Sequence, residues 1–266
     1  MNKIQITSVI LGISALAIAL PSPAGAAVEP TTLHLAAANK QQLSAVDLYN
    51  RGVDKLDGGD YKGAIADFDA AIRLDPNDSE AFYNRAYTRH ILGQVQEAIN
   101  DYTEAIRIKP QYANAYGNRG YAHYILKNYQ AAIADCTAAL RINPNNADAY
   151  IYRANALDDT GKTKAALEDY NQALNINPKH ARGYYNRAVA HNRLKEPQKA
   201  LEDYTTSITL DAKFPDAYYN RGVTYVELGN KPKAAQDFQK AAELFKQQGK
   251  ADNYQQTLNA LKTVQQ

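Results

Sequence analysis

A single cysteine, Cys136, leaves this sequence unable to close an internal disulfide, so no covalent staple holds its fold. Tryptophan is absent, and charges of one sign never gather into a long run. The formal net charge is only +2, which argues against nucleic acid or an anionic membrane as a partner. His34, His90, His123, His180 and His191 are the only histidines, and no His-x-x-x-His or Cys-x-x-Cys pair occurs, so no metal site is expected. Phosphate-binding loops are missing too: "DGGD" at 57–60 lacks the lysine and the spacing. No Gly-x-Ser-x-Gly nucleophile signature appears. The sequence therefore predicts no catalytic residue and no cofactor.

The hydrophobic content is 45% and the charged content 22%, which is folding material rather than a disordered composition. The segment 1–26 stands apart. Lys3 is its only charge, "VILGISALAIAL" follows at 9–20, and Ala24-Gly25-Ala26 fits a small-x-small cleavage site. That order predicts a signal peptide over 1–26 and an exported chain, secreted to a periplasm or lumenal space. An uncleaved anchor helix is the alternative. Its apolar core at 9–20 falls short of the roughly 20 residues that cross a bilayer. The segment 27–44 reads as a flexible leader. After cleavage no stable membrane insertion is expected.

The rest is repetition. "YNRG" at 49–52 returns as "YNRA" at 83–86, "GNRG" at 117–120, "IYRA" at 151–154, "YNRA" at 185–188 and "YNRG" at 219–222. The prolines Pro76, Pro110, Pro144 and Pro178 keep the same interval. Six units follow without a slip: 45–78, 79–112, 113–146, 147–180, 181–214 and 215–248. In the first, a helix from about Ala45 to Asp57 carries Leu48, Gly52 and Leu56 at helical spacing, and Gly58-Gly59 breaks it. Asp60 is a good cap for a second helix striped with Ala64, Ile65, Phe68, Ala71, Ile72 and Leu74. Pro76 ends it. Ala64 and its equivalents Ala98, Ala132, Ala166, Ala200 and Ala234 stay small, as do Gly52, Ala86, Gly120, Ala154, Ala188 and Gly222, so two backbones can approach closely. Phe68, Tyr102, Cys136, Tyr170, Tyr204 and Phe238 fill the space between them. Cys136 reads as a small buried hydrophobe at an aromatic-sized place. Of the 20 tyrosines, Tyr116, Tyr150, Tyr184 and Tyr218 read as core.

A helix-turn-helix of this period, with a large residue, a small one four on, then Ala, aromatic, Ala and Pro, resembles the tetratricopeptide repeat family. The resemblance covers 45–248. It implies an all-α, right-handed solenoid of six repeats. The segment 249–266, with "ADNYQQTLNALKTV" at 251–264, would supply a capping helix and tail, which a solenoid needs on its last open face. "YNRG" and "AIADF" are similar to the repeat style of cyanobacterial proteins. The chain departs from the family where a Leu is usual and Arg stands in all six units. It departs again where a Tyr is usual, at Lys55, Arg89, His123, Leu157 and His191.

A buried-looking arginine demands a partner. Arg51, Arg85, Arg119, Arg153, Arg187 and Arg221 are each followed, at one fixed offset, by Asp67, Asp101, Asp135, Asp169, Asp203 and Asp237. This predicts an Arg–Asp ladder within a unit or to its neighbour, with the arginine stems on aromatic rings. A row of anion sites is the rival reading, and the matched acids would neutralise it. Before each arginine stands Asn50, Asn84, Asn118, Asn186 or Asn220, with Tyr152 the exception. In related repeats this place looks onto the concave face, and the resemblance implies a carboxamide row that holds an extended peptide backbone. Local hydrogen bonding between helices is the alternative. Tyr83, Tyr87, Tyr121, Tyr124, Tyr185 and Tyr219 flank the row as groove contacts or as plain packing. A chaperone-type carboxylate clamp is not expected, because Tyr49 and Val53 stand where Lys and Asn would be needed. Unit four departs most, at Ile151-Tyr152, Asn155 and Asp158-Asp159; the two acids, beside Thr160-Gly161, read as a turn. The sequence thus predicts a non-enzymatic scaffold that binds a protein or peptide, with no nucleic-acid partner. It fits an assembly factor for an envelope or lumenal complex. The alternative is a self-associating structural homo-oligomer.

Overall fold

A computed structural model describes residues 43–266; the expected signal and all of the expected leader before Leu43 lie outside the described residues, His34 included. Among those described there are thirteen helices and no strand. They come in pairs: α1 (Ala45–Asp57) with α2 (Tyr61–Leu74), α3 (Ser79–Ile91) with α4 (Val95–Ile108), α5 (Ala113–Ile125) with α6 (Tyr129–Ile142). The series continues with α7 (Ala147–Asp159) and α8 (Thr163–Ile176), α9 (Ala181–Arg193) and α10 (Pro197–Leu210), α11 (Pro215–Glu227) and α12 (Lys231–Gln247). The last helix, α13, spans Ala251–Gln265.

Local chemistry sets these limits. Ser44 and Asp47 form a reciprocal capping box at the start of α1. Asp60 accepts from the Gly63 N–H at 2.9 Å and starts α2. Between the helices of a unit the chain must pass through positive φ, which Gly59 does at +80° and Gly161 at +81°. In units three and five, Lys127 and Lys195 take that place at 60° and 59°, against the usual preference of a side-chain-bearing residue. Proline is absent from the end of units five and six; α10 still stops at 14 residues, as α2 does, while α12 runs on to 17.

The core lies between the two helices of each pair. Ala64, Ala98, Ala132, Ala166, Ala200 and Ala234 are all fully buried. Beside them Phe68, Tyr102, Cys136, Tyr170, Tyr204 and Phe238 are buried. Glycine and alanine on the first helix match what they face. Gly52 and Gly222 stand against Phe68 and Phe238, where an added Cβ would come within 2.7 and 2.8 Å of the ring. Gly120 faces the Cys136 sulfur, and Ala86, Ala154 and Ala188 accompany the tyrosines. Two expectations are corrected. Tyr116, Tyr150, Tyr184 and Tyr218 are half-buried rather than fully enclosed; Tyr116 and Tyr150 pack on the core's edge, and all four lie beneath the arginines as platforms. Leu74 is 50% exposed, because it ends α2 where the chain turns to the next unit.

Each second helix packs on the first helix of the next unit. First helices also approach one another, α1 to α3, α3 to α5, α5 to α7 and α7 to α9, while no two second helices do so to the same extent. The closer approach on that side puts the first helices on the inner side of the curve. α13 packs on α12 and buries Thr257 and Val264, covering the last repeat.

Candidate functional site

The structure holds every one of the six arginines against its matched aspartate on the second helix of the unit. Nε and Nη2 of each donate to the two oxygens of one carboxylate, at 2.7 and 2.5 Å for Arg51–Asp67 and at 2.7 and 2.8 Å for Arg119–Asp135. Arg85–Asp101, Arg153–Asp169, Arg187–Asp203 and Arg221–Asp237 repeat the fork. Paired in this way, the guanidiniums are not free to form an anion-binding row. The third nitrogen, Nη1, reaches back to the preceding unit, to Asp69 from Arg85, Thr103 from Arg119, Thr137 from Arg153, Asn171 from Arg187 and Thr205 from Arg221. One side chain thereby fastens two helices of its own unit and one of the unit before. Five of the arginines also lie over the ring one turn earlier, at 5.3 to 5.7 Å for Phe82, Tyr116, Tyr150, Tyr184 and Tyr218. The departures from the usual Tyr find a reason here: Lys55 and Arg89 give Asp67 and Asp101 a second cation at 2.8 and 2.6 Å. The acceptor place held by Asp69, Thr103, Thr137, Asn171 and Thr205 escapes a reading of the sequence, although polar acceptors at one offset in five units are a signal for it.

The asparagine row is bonded from unit to unit. Asn84, Asn118 and Asn220 donate Nδ2 to the phenol oxygens of Tyr49, Tyr83 and Tyr185 at 2.9, 2.9 and 2.7 Å. Asn186 meets Asn155 instead, at 2.9 Å, because Ile151 has replaced the tyrosine. Asn50, on the first of the described helices, is exposed, and no earlier unit precedes it among the described residues. The nitrogen end of each of the other four carboxamides is therefore fixed, and the oxygen end carries no intramolecular bond among the described residues.

The tyrosines divide. Tyr83 packs on Tyr102 and Tyr112, Tyr185 on Tyr204 and Phe214, and Tyr219 on Phe238 while accepting from Gln256 of α13. Burial pushes the Tyr83 phenol up to about 12. Tyr87 is 44% exposed. Tyr121 lies between His90 and Tyr152, with centroids 5.2 and 4.4 Å away and planes within 17°, so three rings from units two, three and four form a column. Tyr124 lies parallel to Tyr121 at 6.3 Å and donates to Asp159 at 2.9 Å. Burial raises its phenol, and the bond to Asp159 raises it further.

Asp158 and Asp159 correct the sequence reading. They are the last turn of α7 and not a loop, with the turn at Thr160-Gly161; Asp158 is buried. The repeat register sets them level with Tyr124 and Ile125, and it outweighs the Thr-Gly that follows. Arg193, one repeat beyond Asp159, reaches back to both acids. Burial opposes its charge, but the two carboxylates overcome that and raise its pKa. The rule that equal places in adjacent units are neighbours finds this contact. Among the described residues no helix is long and apolar enough to cross a membrane, and no group of side chains could hold a metal ion.

Tetratricopeptide repeat models match 49–113, 113–146, 136–168, 154–195, 181–214 and 215–247. The chain belongs to the tetratricopeptide repeat family, whose members carry protein–protein interactions. Similar solved structures include the MamA protein, 25% identical over 64% of this chain and 92% of that one, with a TM-score of 0.56. A tetratricopeptide repeat protein from Parabacteroides merdae is 23% identical, covers 86% of both chains and has a TM-score of 0.63. YrrB, described as having an unusual peptide-binding site, is 24% identical over 66% of this chain and 91% of that one, with a TM-score of 0.53. No curated protein matches the chain in sequence.

Proposed function

We propose that the chain is a non-enzymatic scaffold whose inner face holds an extended segment of a partner protein. The observation that carries the reading is the carboxamide row. Asn84, Asn118, Asn186 and Asn220 are anchored at one end by the preceding unit and unbonded at the other. Fixed carboxamides at repeat intervals lose little freedom when they meet a peptide backbone, and they meet it without reading its sequence. Tyr87, Tyr121 and Tyr124 add stiff ring surface beside them. YrrB shares the fold, and its peptide-binding site speaks for what the fold allows; the reading here rests on this chain's own side chains. The composition of the segment 1–26 supports export, and an exported scaffold suits assembly of an envelope or lumenal complex.

A crosslinking capture from the exported fraction tests this, comparing the wild type with Asn84→Ala/Asn118→Ala/Asn186→Ala. Partners lost from the triple variant, with its helical circular dichroism intact, are the expected result. Partners retained would make the row structural and overturn the reading.

A further inference from the structure

Unit four breaks the symmetry of the stack, and the break is an imbalance of charge. Asp158 is 6% exposed. Its Oδ2 lies 2.7 Å from Nη1 of Arg193, while its Oδ1 is buried and has no hydrogen-bond partner. Asp159 takes Nη2 of the same arginine at 3.3 Å, and the phenol of Tyr124. One guanidinium therefore serves two carboxylates. Each ladder aspartate, by contrast, has an arginine fork of its own. A buried carboxylate oxygen without a donor costs free energy, and a second cation is the group that removes the cost.

Arg193 is loosely held for such a task. It comes from the next unit, its side chain is 45% exposed, and it divides its bonds between two acids. The ladder arginine Arg187 of the same helix is 21% exposed and gives both bonds to one acid. Tyr124 ties the acidic pair to the stacked rings of Tyr121 and Tyr152.

We propose that Asp158 and Asp159 receive an arginine side chain of the bound segment, which displaces Arg193 from Asp158 and supplies the donor that Oδ1 lacks. The partner segment is then basic where it crosses units three to five. This rests on the inner face being the binding face. Arg193 is a placeholder that keeps the acids paired while the groove is empty.

The test is an NMR titration of the full chain with acetyl-arginine-N-methylamide and with its citrulline counterpart, which keeps the shape and loses the charge. The arginine probe is expected to shift the backbone amides of Asp158, Asp159 and Arg193, with citrulline about tenfold weaker, since hydrogen bonds to charged groups are the stronger ones. Asp158→Asn/Asp159→Asn, which preserves shape, should bind both probes alike. Arg193→Ala, or Arg193→Gln if the first fails to fold, should bind the arginine probe several-fold more tightly than the wild type. A wild type that does not distinguish the probes, shifts that survive in the double asparagine variant, or no gain on replacing Arg193 would overturn the proposal. The asparagine-row capture is a separate readout. Partners lost there with no preference between probes here would remove only the basic side chain, leaving the groove. An arginine preference with partners retained would remove the row and leave the acidic pair.

Discussion

Asn118 and Tyr83 are joined across 35 residues, carboxamide nitrogen to phenol oxygen at 2.9 Å. The bond links the first helices of units two and three, and the same pairing joins Asn84 to Tyr49 and Asn220 to Tyr185. It also accounts for the one gap in the row. Unit three has Gly117 where the others carry a tyrosine or Ile151, so an asparagine at 152 would find no phenol. Tyr152 stands there instead and stacks on Tyr121. α5 and α7 approach each other more closely than the other first helices do, as the missing side chain of Gly117 permits.

Tyr83→Phe keeps the ring packed on Tyr112 and removes only the acceptor. The expected loss is about 1 kcal/mol, the usual net value of one neutral hydrogen bond. Asn118→Ala should cost less in the Tyr83→Phe background than in the wild type, because the bond it breaks is already gone. A urea-denaturation double-mutant cycle measures this. Costs that simply add would mean the bond contributes nothing.

Asp135→Ala leaves the guanidinium of Arg119 packed on Tyr116 without its carboxylate. Breaking one partner of a buried pair costs about 3–5 kcal/mol, against no more than about 0.5 kcal/mol for a surface change such as Gln130→Ala. Replacing both, as Arg119→Met/Asp135→Leu, should recover most of the loss, since no unpaired charge remains. Thermal melts followed by circular dichroism decide it. A melting temperature unmoved by Asp135→Ala would remove the ladder's structural role.

The ladder is legible in the sequence because one Arg-to-Asp offset recurs in six units, and a charge at a buried place has few ways to be satisfied. Helix limits are legible from Gly58-Gly59, Asp60 and the prolines for the same local reason. What the sequence hides is contact between units. Asp158 and Asp159 resemble a turn because the neighbouring Thr160-Gly161 is a stronger local signal than the register. Arg193 looks like an ordinary surface cation because its partners lie one repeat away. The asparagines are visible as a row but not as half-bonded, since the phenols that hold them stand one place earlier in the preceding unit.

The thiol of Cys136 offers a test of the core through pH. Burial pushes it up to about 12, and the charge of Asp135 pushes the same way. An unfolded chain would release this proton near its ordinary value of about 8.5. Below that value both states hold the proton, and the native state keeps the full contribution. As the pH rises toward the folded value, the unfolded chain ionises and the native chain does not, so stability falls by up to about 1.4 kcal/mol per pH unit. Tyrosines of the unfolded chain ionise near about 10 and add their own slope as the pH rises, so the part due to the cysteine is the difference between the wild type and Cys136→Ala over about pH 8.5 to 9.5. Urea denaturation across that window should show a falling midpoint in the wild type and a flatter one in Cys136→Ala. Iodoacetamide should label the native thiol only as fast as the core opens, and mild urea should speed it. Rapid labelling of the native chain, or equal slopes in the two proteins, would mean that Cys136 is not enclosed between α5 and α6.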